Sequence, residues 1–275
     1  MAEKKTTKKA PKKKPLTAKS ADRHILYQRS VQEPSAELDF IDRVYKLLYD
    51  RKAESFREDF CGTALLCAAW VKSRKERTAT GVDIDPKVLA CGKEHNLAPL
   101  SDEERSRLEL LRQDVRDPVR ARHQVICAFN FSYWIFRTRD DMRAYFEKVK
   151  TGLTKDGVFL LDAYGGWESH QPQIARSKKG GLTYVWDQHK FDPITHSIEN
   201  HIHFEFPDGT KQHRAFSYYW RFWSLPELTE LLTEAGFKDV RVYWDTSRNE
   251  AWDDYKPRTR AENQPGWLAY LSARV

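Results

Sequence analysis

Between residues 55 and 166 the chain alternates short apolar runs with longer amphipathic stretches, and this alternation most constrains what it can fold into. Residues 55–60, "TATGVDI" (78–84), "RLELLRQDV" (107–115), "QVICAFNFSY" (124–133) and "GVFLLDAYGG" (157–166) read as strands. Helical spacing marks "ALLCAAWVKSRKE" (64–76), "PKVLACGKEHN" (86–96) and "DDMRAYFEKVKTGL" (140–153). Thr63 is the expected N-cap of the first of these helices, and Asp85 with Pro86 the expected start of the second. Strands separated by helices imply a parallel sheet with helices on both faces, and continuous apolar runs suit strands buried on both sides.

The flanks complete the layout. "ELDFIDRVYKLLYDR" (37–51) places Leu38, Ile41, Val44, Leu47 and Leu48 at helical spacing. Residues 183–223 alternate without a helix, and "PDGT" reads as a hairpin turn between the last two of three strands, so an antiparallel insert is expected there. "SLPELTELLTEAGF" (224–237) is a helix with Ser224 as cap, Glu227 at the third position and Gly236 at its end. "DVRVYWD" (239–245) and "GWLAYLSARV" (266–275) are closing strands. The fold class expected is α/β: a Rossmann-like, seven-stranded, mostly parallel sheet with the insert before the last helix. A tail (1–22) would precede one domain (23–275), with residues 23–54 as a helical lid and 164–223 as a substrate-side insert.

Charge separates tail from body. The first twenty residues hold eight lysines and one glutamate, a net of +7, which is the net charge of the whole chain. The alkaline character therefore belongs to the tail, which lacks the apolar residues to offset its ordering entropy and reads as disordered. It is either a solubilising arm or a weak, salt-sensitive contact to nucleic acid or an anionic surface. No apolar run of about 18 residues is present, so no membrane span is expected. Cys61, Cys67, Cys91 and Cys127 fit no zinc or CxxC spacing, and reduced thiols in the cytoplasm are expected.

The turn after the first strand points to chemistry. In open parallel sheets, ligands bind at the carboxyl ends of strands where strand order reverses. Gly62 permits close backbone approach, and Asp83, 21 residues on, ends the next strand, where a carboxylate can accept both hydroxyls of a ribose. Helix capping alone would account for Asp85 but not for Asp83. A dinucleotide needs several glycines at such a turn, and Glu58 and Asp59 would repel its diphosphate. A nucleoside with a cationic far end fits better.

With these residues in place, the sequence resembles the class I S-adenosylmethionine-dependent methyltransferases over roughly residues 23–275. "EDFCGTA" keeps Glu58 and Gly62 of that family's glycine motif but has Phe60 and Ala64 where the outer glycines would stand. "GVDIDP" resembles the ribose motif. "RQDV" resembles the adenine motif, implying Asp114 for the exocyclic amine and the Val115 amide for a ring nitrogen. "FNFSY" resembles the motif after the fourth strand, with Asn130 beside the methionyl end. "GLTKDGVFLL" resembles the stretch around the fifth strand, and the final strands the reversed hairpin edge. "YQRSVQEP" with "FREDFCGTA" resembles an uncharacterised subgroup; that resemblance implies Tyr27 and Arg57 on the methionyl carboxylate, the alternative for Arg57 being a surface ion pair. The implied cofactor is S-adenosyl-L-methionine, contacted by Tyr27, Arg57, Glu58, Gly62, Thr63, Asp83, Asp114, Val115 and Asn130.

The implied reaction is in-line methyl transfer, in which alignment of donor and acceptor does most of the work. A base is needed only if the acceptor must lose a proton. Tyr133 and Tyr164 are the catalytic candidates, in an aromatic set that also holds Trp134, Trp167, Tyr218, Trp220 and Trp223; plain sheet packing is the alternative for all of them. His201, His203 and Glu205 share one strand face with His213 opposite, read as cross-strand polar packing, with a base or metal role as the alternative; no metal is assigned. The acceptor is expected to be a small molecule. RNA, DNA or protein as acceptor, a non-catalytic cofactor-binding protein and a nucleotide-dependent oxidoreductase are the competing readings.

Overall fold

A computed structural model describes residues 16–246 and 255–275. In chain order the elements begin with α1 (Arg23–Val31), α2 (Pro34–Tyr49), β1 (Ser55–Asp59), α3 (Leu65–Ser73), β2 (Thr78–Asp83) and α4 (Pro86–Gly92). They continue with α5 (Asp102–Ser106), β3 (Leu108–Arg112), β4 (His123–Ala128), α6 (Arg139–Thr151) and β5 (Leu153–Gly165). Next come β6 (Gln173–Lys179), β7 (Leu182–Phe191), β8 (Ser197–Glu205), β9 (Lys211–Arg221), α7 (Leu225–Glu234), β10 (Lys238–Asp245), β11 (Tyr255–Arg258) and β12 (Trp267–Arg274).

The main sheet has eight strands in the order β11-β10-β12-β5-β4-β1-β2-β3. Strands β1 to β5 are mutually parallel, and β12 runs antiparallel between β5 and β10. Strand order reverses between β1 and β4, which puts the switch point beside the glycine turn. Both faces are covered. The Phe56 ring stacks on Trp70 of α3, centroids 4.8 Å apart, while Arg57 and Asp59 face Tyr145 of α6. The α/β class and the insert's place are as the sequence reading has them. The eighth strand, β11, was not anticipated: it is short, mostly exposed and carries Pro257, which suits only an edge.

The insert is a separate antiparallel sheet, β6-β7-β8-β9. Its fourth strand, β6, also escaped the sequence reading, because "QIARSKK" is almost wholly exposed and rich in the lysines that blunt a sheet edge. Two further expectations need correction. Helix α2 buries Glu37, Phe40, Ile41, Val44 and Tyr45, one residue out of phase with the expected stripe, while Leu47 is exposed. It packs on α3 and β5 as a core helix. Residues 17–21, counted with the tail, are anchored: Thr210 Oγ1 accepts from the Ala18 amide, and Gln212 Nε2 donates to the carbonyls of Ala18 and Ala21. The lysine-rich stretch before them, residues 1–15, lies outside the described residues. No helix among the described residues is long and apolar enough to cross a membrane, and all four cysteines are buried and unpaired.

Candidate active site

The turn after β1 has a backbone shape that its residue types do not advertise. Phe60, Gly62 and Ala64 all have positive φ, at 58°, 55° and 54°. The left-handed conformation therefore recurs at every second residue, although only one of the three is glycine. A non-glycine residue there costs roughly 1–2 kcal/mol, so Phe60 and Ala64 together cost about 2–4 kcal/mol. Ala64, not Thr63, is the N-cap of α3 and supplies no side-chain cap. Thr63 Oγ1 is instead buried without a hydrogen-bond partner.

Bonds of matching size brace the turn. Asp83 Oδ2 accepts from the Gly62 amide at 2.8 Å and Oδ1 from the Asp85 amide at 2.9 Å. Charge-assisted bonds of this kind contribute roughly 1.5–3 kcal/mol each, enough to offset the strain. Burial raises the Asp83 carboxyl, and bonds from Asp85 and Gly62 counteract that rise. The Ile84 backbone bonds the carboxylate as well, and of its roughly four lone-pair sites at least one stays open for a ligand hydroxyl. Asp85 caps α4 by accepting from the Lys87 amide at 2.8 Å. From below, Asn96 Nδ2 donates to the Thr63 carbonyl at 2.8 Å and to Gln28 Oε1 of α1 at 2.8 Å. Gly92 lies so close that a Cβ there would sit 2.4 Å from the Thr63 carbonyl oxygen. Asn96 and Gly92 were not anticipated, since nothing in a helical run marks a residue that touches a distant turn.

A second braced loop follows β4. Asn130 and Phe131 are both left-handed, φ 58° and 57°. Their amides donate to Asp162 Oδ2 and Oδ1 at 2.8 and 3.0 Å. Asp162 was also missed; the only signal was a lone carboxylate in the apolar run "FLLDAY". It belongs to a run of buried, mutually coupled carboxyls near the carboxyl ends of β1 and β5, called the rim below. Burial pushes Asp162 up to about 7, and both Glu37 of α2 and Glu58 of β1 up to about 8. Beyond burial, Glu37 is raised by Asp162, and Glu58 by Glu37 and Asp83, while Cys67 Sγ donates to Glu58 Oε2 at 3.1 Å.

The other expected residues divide. Arg57 does not fit a cofactor carboxylate: Nε donates to Asp59 Oδ1 at 2.6 Å and Nη2 to the Val115 carbonyl at 2.9 Å, with the side chain buried. It is an internal strut that holds the loop carrying Val115. Asp114 reaches the same rim but already accepts from Arg116 Nε and Nη2 at 3.0 and 2.8 Å, which lowers its carboxyl. Tyr27 sits on α1 beside Tyr218 and Tyr184, and burial holds its hydroxyl well above the usual phenol range.

Tyr133 is fully buried and donates to the Asp162 carbonyl at 2.7 Å, so its expected catalytic role gives way to a structural one. Trp134, Trp220 and Trp223 are core residues as well, and Trp223 Nε1 donates to the Phe136 carbonyl at 3.1 Å. Trp167 is 48% exposed and lines a separate groove of about 1210 Å³ by the β10–β11 edge. Tyr164 accepts from Asn200 Nδ2 at 3.1 Å and stacks on Trp134, joining β5 to the insert. Burial raises its hydroxyl, which keeps it protonated and suits a donor rather than a base. Of the aromatic set, Tyr164 and Tyr218 stand where the insert meets the main sheet, with Tyr27 alongside.

These features fit a cationic adenosine cofactor. The twisted turn leaves open space at Gly62, where a Cβ would meet only Val88 at 3.9 Å. Beside it stand an unpartnered Thr63 hydroxyl, the two-armed Asp83 and the coupled carboxyls of Glu58, Glu37 and Asp162.

No family model and no curated protein matches the chain. Solved structures do. An S-adenosylmethionine-dependent methyltransferase from Clostridium acetobutylicum superposes with a TM-score of 0.67 at 16% identity, covering 92% of this chain and 96% of that one. A sugar N-methyltransferase from a Streptoalloteichus species gives 0.62 at 18% identity, covering 100% and 99%. An amino pentose methyltransferase from Micromonospora echinaspora, solved with S-adenosylmethionine bound, gives 0.63 at 14%, covering 91% and 95%. The chain therefore has the fold of the class I S-adenosylmethionine-dependent methyltransferases.

Proposed function

We propose that the protein is an S-adenosylmethionine-dependent methyltransferase acting on a small-molecule acceptor. The observation that carries this reading is the twice-strained turn at Phe60–Ala64 braced by Asp83 and coupled through it to the buried carboxyls of Glu58, Glu37 and Asp162. Strain of this kind persists where surrounding structure over-determines it, characteristically at ligand sites. Asp83 would take the ribose hydroxyls, the turn's backbone and Thr63 would pack the nucleoside, and the Asp114–Val115 loop would meet the base. Glu58, Glu37 and Asp162 would face the cationic end, with Asn130 at the edge.

The bound cofactor supplies an electrophilic methyl group on a sulfonium. The chain's part is positioning: α1 and the insert close over the rim, exclude water and align the acceptor. Tyr164, held by Asn200, can donate a hydrogen bond to the acceptor, and Asp162, with its carboxyl near neutrality, can hold a proton that leaves it. Solved neighbours of this fold that methylate sugars support a small acceptor, and the insert's aromatic inner face suits one.

The test is incubation of the full chain with methyl-labelled cofactor and fractionated cell extract. Label in low-molecular-weight products, at a rate unchanged on deleting residues 1–15, is expected. Label found only in RNA, DNA or protein, and lost with that deletion, would move the reading to a macromolecular acceptor.

A further inference from the structure

The outer face of the insert sheet carries a second cluster of chemistry, away from the cofactor rim. On β8, odd-numbered residues face outward, while Asn200, Ile202 and Phe204 face the main sheet and α1. Glu199 and His201 are thus neighbours on the outer face. Opposite them, the β7–β8 ladder slips between Gln188 and Lys190, leaving His189 as the extra residue of a bulge. Bulges re-aim side chains, and this one brings His189 into the group. One ligand atom from each of His189, Glu199 and His201 lies within 4.8 Å of the others.

His201 sits at the centre of the cluster. Its side chain is fully buried in the middle of the sheet. Nδ1 is 2.9 Å from Ser217 Oγ on β9. Nε2 lies 3.0 Å from Glu199 Oε1 but has no hydrogen-bond partner, because the oxygen stands off the ring nitrogen's bonding direction. A buried ring nitrogen without a bond is costly. Two ligands on one zinc ion, each about 2.0–2.1 Å from it, stand roughly 2.9–3.4 Å apart, which matches this separation. Ser217 is the partner that a metal-bound histidine needs, accepting from Nδ1–H and so leaving Nε2 as the ligating atom. His189, 48% exposed, stands at the open side of the cluster, its ring centroid 5.3 Å from that of His201. Asp187, whose Oδ2 is 3.9 Å from His189 Nδ1 and 3.2 Å from His203 Nε2, borders the cluster.

We infer that His189, Glu199 and His201 form a binding site for a first-row divalent cation of zinc type, pinning the β7 bulge to β8. Two imidazoles and one carboxylate suit zinc and its neighbours and not magnesium or calcium, which prefer all-oxygen sites. Water fills the remaining positions. The set differs from the His201–His203–Glu205 face visible in the sequence, because the bulge that recruits His189 is a property of the pairing.

The test uses the full, untagged chain, stripped with chelator and titrated with zinc chloride by calorimetry. One ion per chain, binding in the micromolar range or tighter, is expected, with a raised melting temperature and no response to magnesium. His189→Ala and Glu199→Gln should each weaken binding at least tenfold while circular dichroism and S-adenosylhomocysteine affinity stay unchanged. The inference is overturned if no saturable site appears, or if zinc binding survives both substitutions. Because cofactor affinity is read separately, its loss or retention does not bear on this site.

Discussion

Ala64 begins a helix in a backbone conformation that glycine adopts freely and alanine does not. Substituting Ala64→Gly should therefore raise stability by about 1 kcal/mol, against the usual loss on such a change, as read from the urea midpoint at constant slope. Asp83 binds the Gly62 and Asp85 amides in the free protein and has at least one lone-pair site left for a ligand. Asp83→Ala should weaken S-adenosylhomocysteine binding at least tenfold, through lost ribose contacts and a slackened turn; unaltered affinity in titration would refute the ribose assignment. That Gly62 makes the turn and Asp83 ends the next strand beside it was legible from sequence, because glycine and a strand-end carboxylate leave a strong local signal. Arg57 was not: the sequence left a ligand contact or a surface ion pair, and the structure has neither, because the pair with Asp59 is buried against the main sheet.

Elements set which residues meet. Helix α4 crosses the glycine turn at Gly92, where any side chain would strike the Thr63 carbonyl. Gly92→Ala should leave circular dichroism close to wild type but push the turn outward and lower S-adenosylhomocysteine affinity at least tenfold; full affinity would show that the turn's placement does not matter. The central strands and α7 were legible because each carries a strong local signal, as in the capping box of Ser224 and Glu227. β6 and β11 were not, since an exposed edge strand has no apolar face to leave a period-2 pattern. The phase of α2 was missed because Glu37, a carboxylate, stands on its buried face.

At the scale of the molecule, the buried carboxyls couple folding and binding to pH. Glu37 and Glu58 titrate near 8 and Asp162 near 7 in the folded chain, above their ordinary 4.5 and 3.8. Between the ordinary and the folded values the native state keeps protons that the unfolded chain has lost. The stability these groups contribute is thus complete below about pH 4 and declines as pH rises through about 8. A cationic ligand reverses the preference, because it favours the ionised carboxyls. For each carboxyl that must ionise, S-adenosylmethionine affinity should climb by up to about tenfold per pH unit below pH 7, levelling off above about 8. The neutral thioether product should respond less steeply, and Glu58→Gln should flatten the curve. A pH-independent affinity ratio between the two would contradict this coupling.

Isothermal titration of the full chain at pH 8 with S-adenosylmethionine, S-adenosylhomocysteine and NAD tests the central claim most directly. One saturable site per chain is expected for the first two, and no heat from NAD. Binding of NAD, with no response to either sulfur nucleoside, would contradict it.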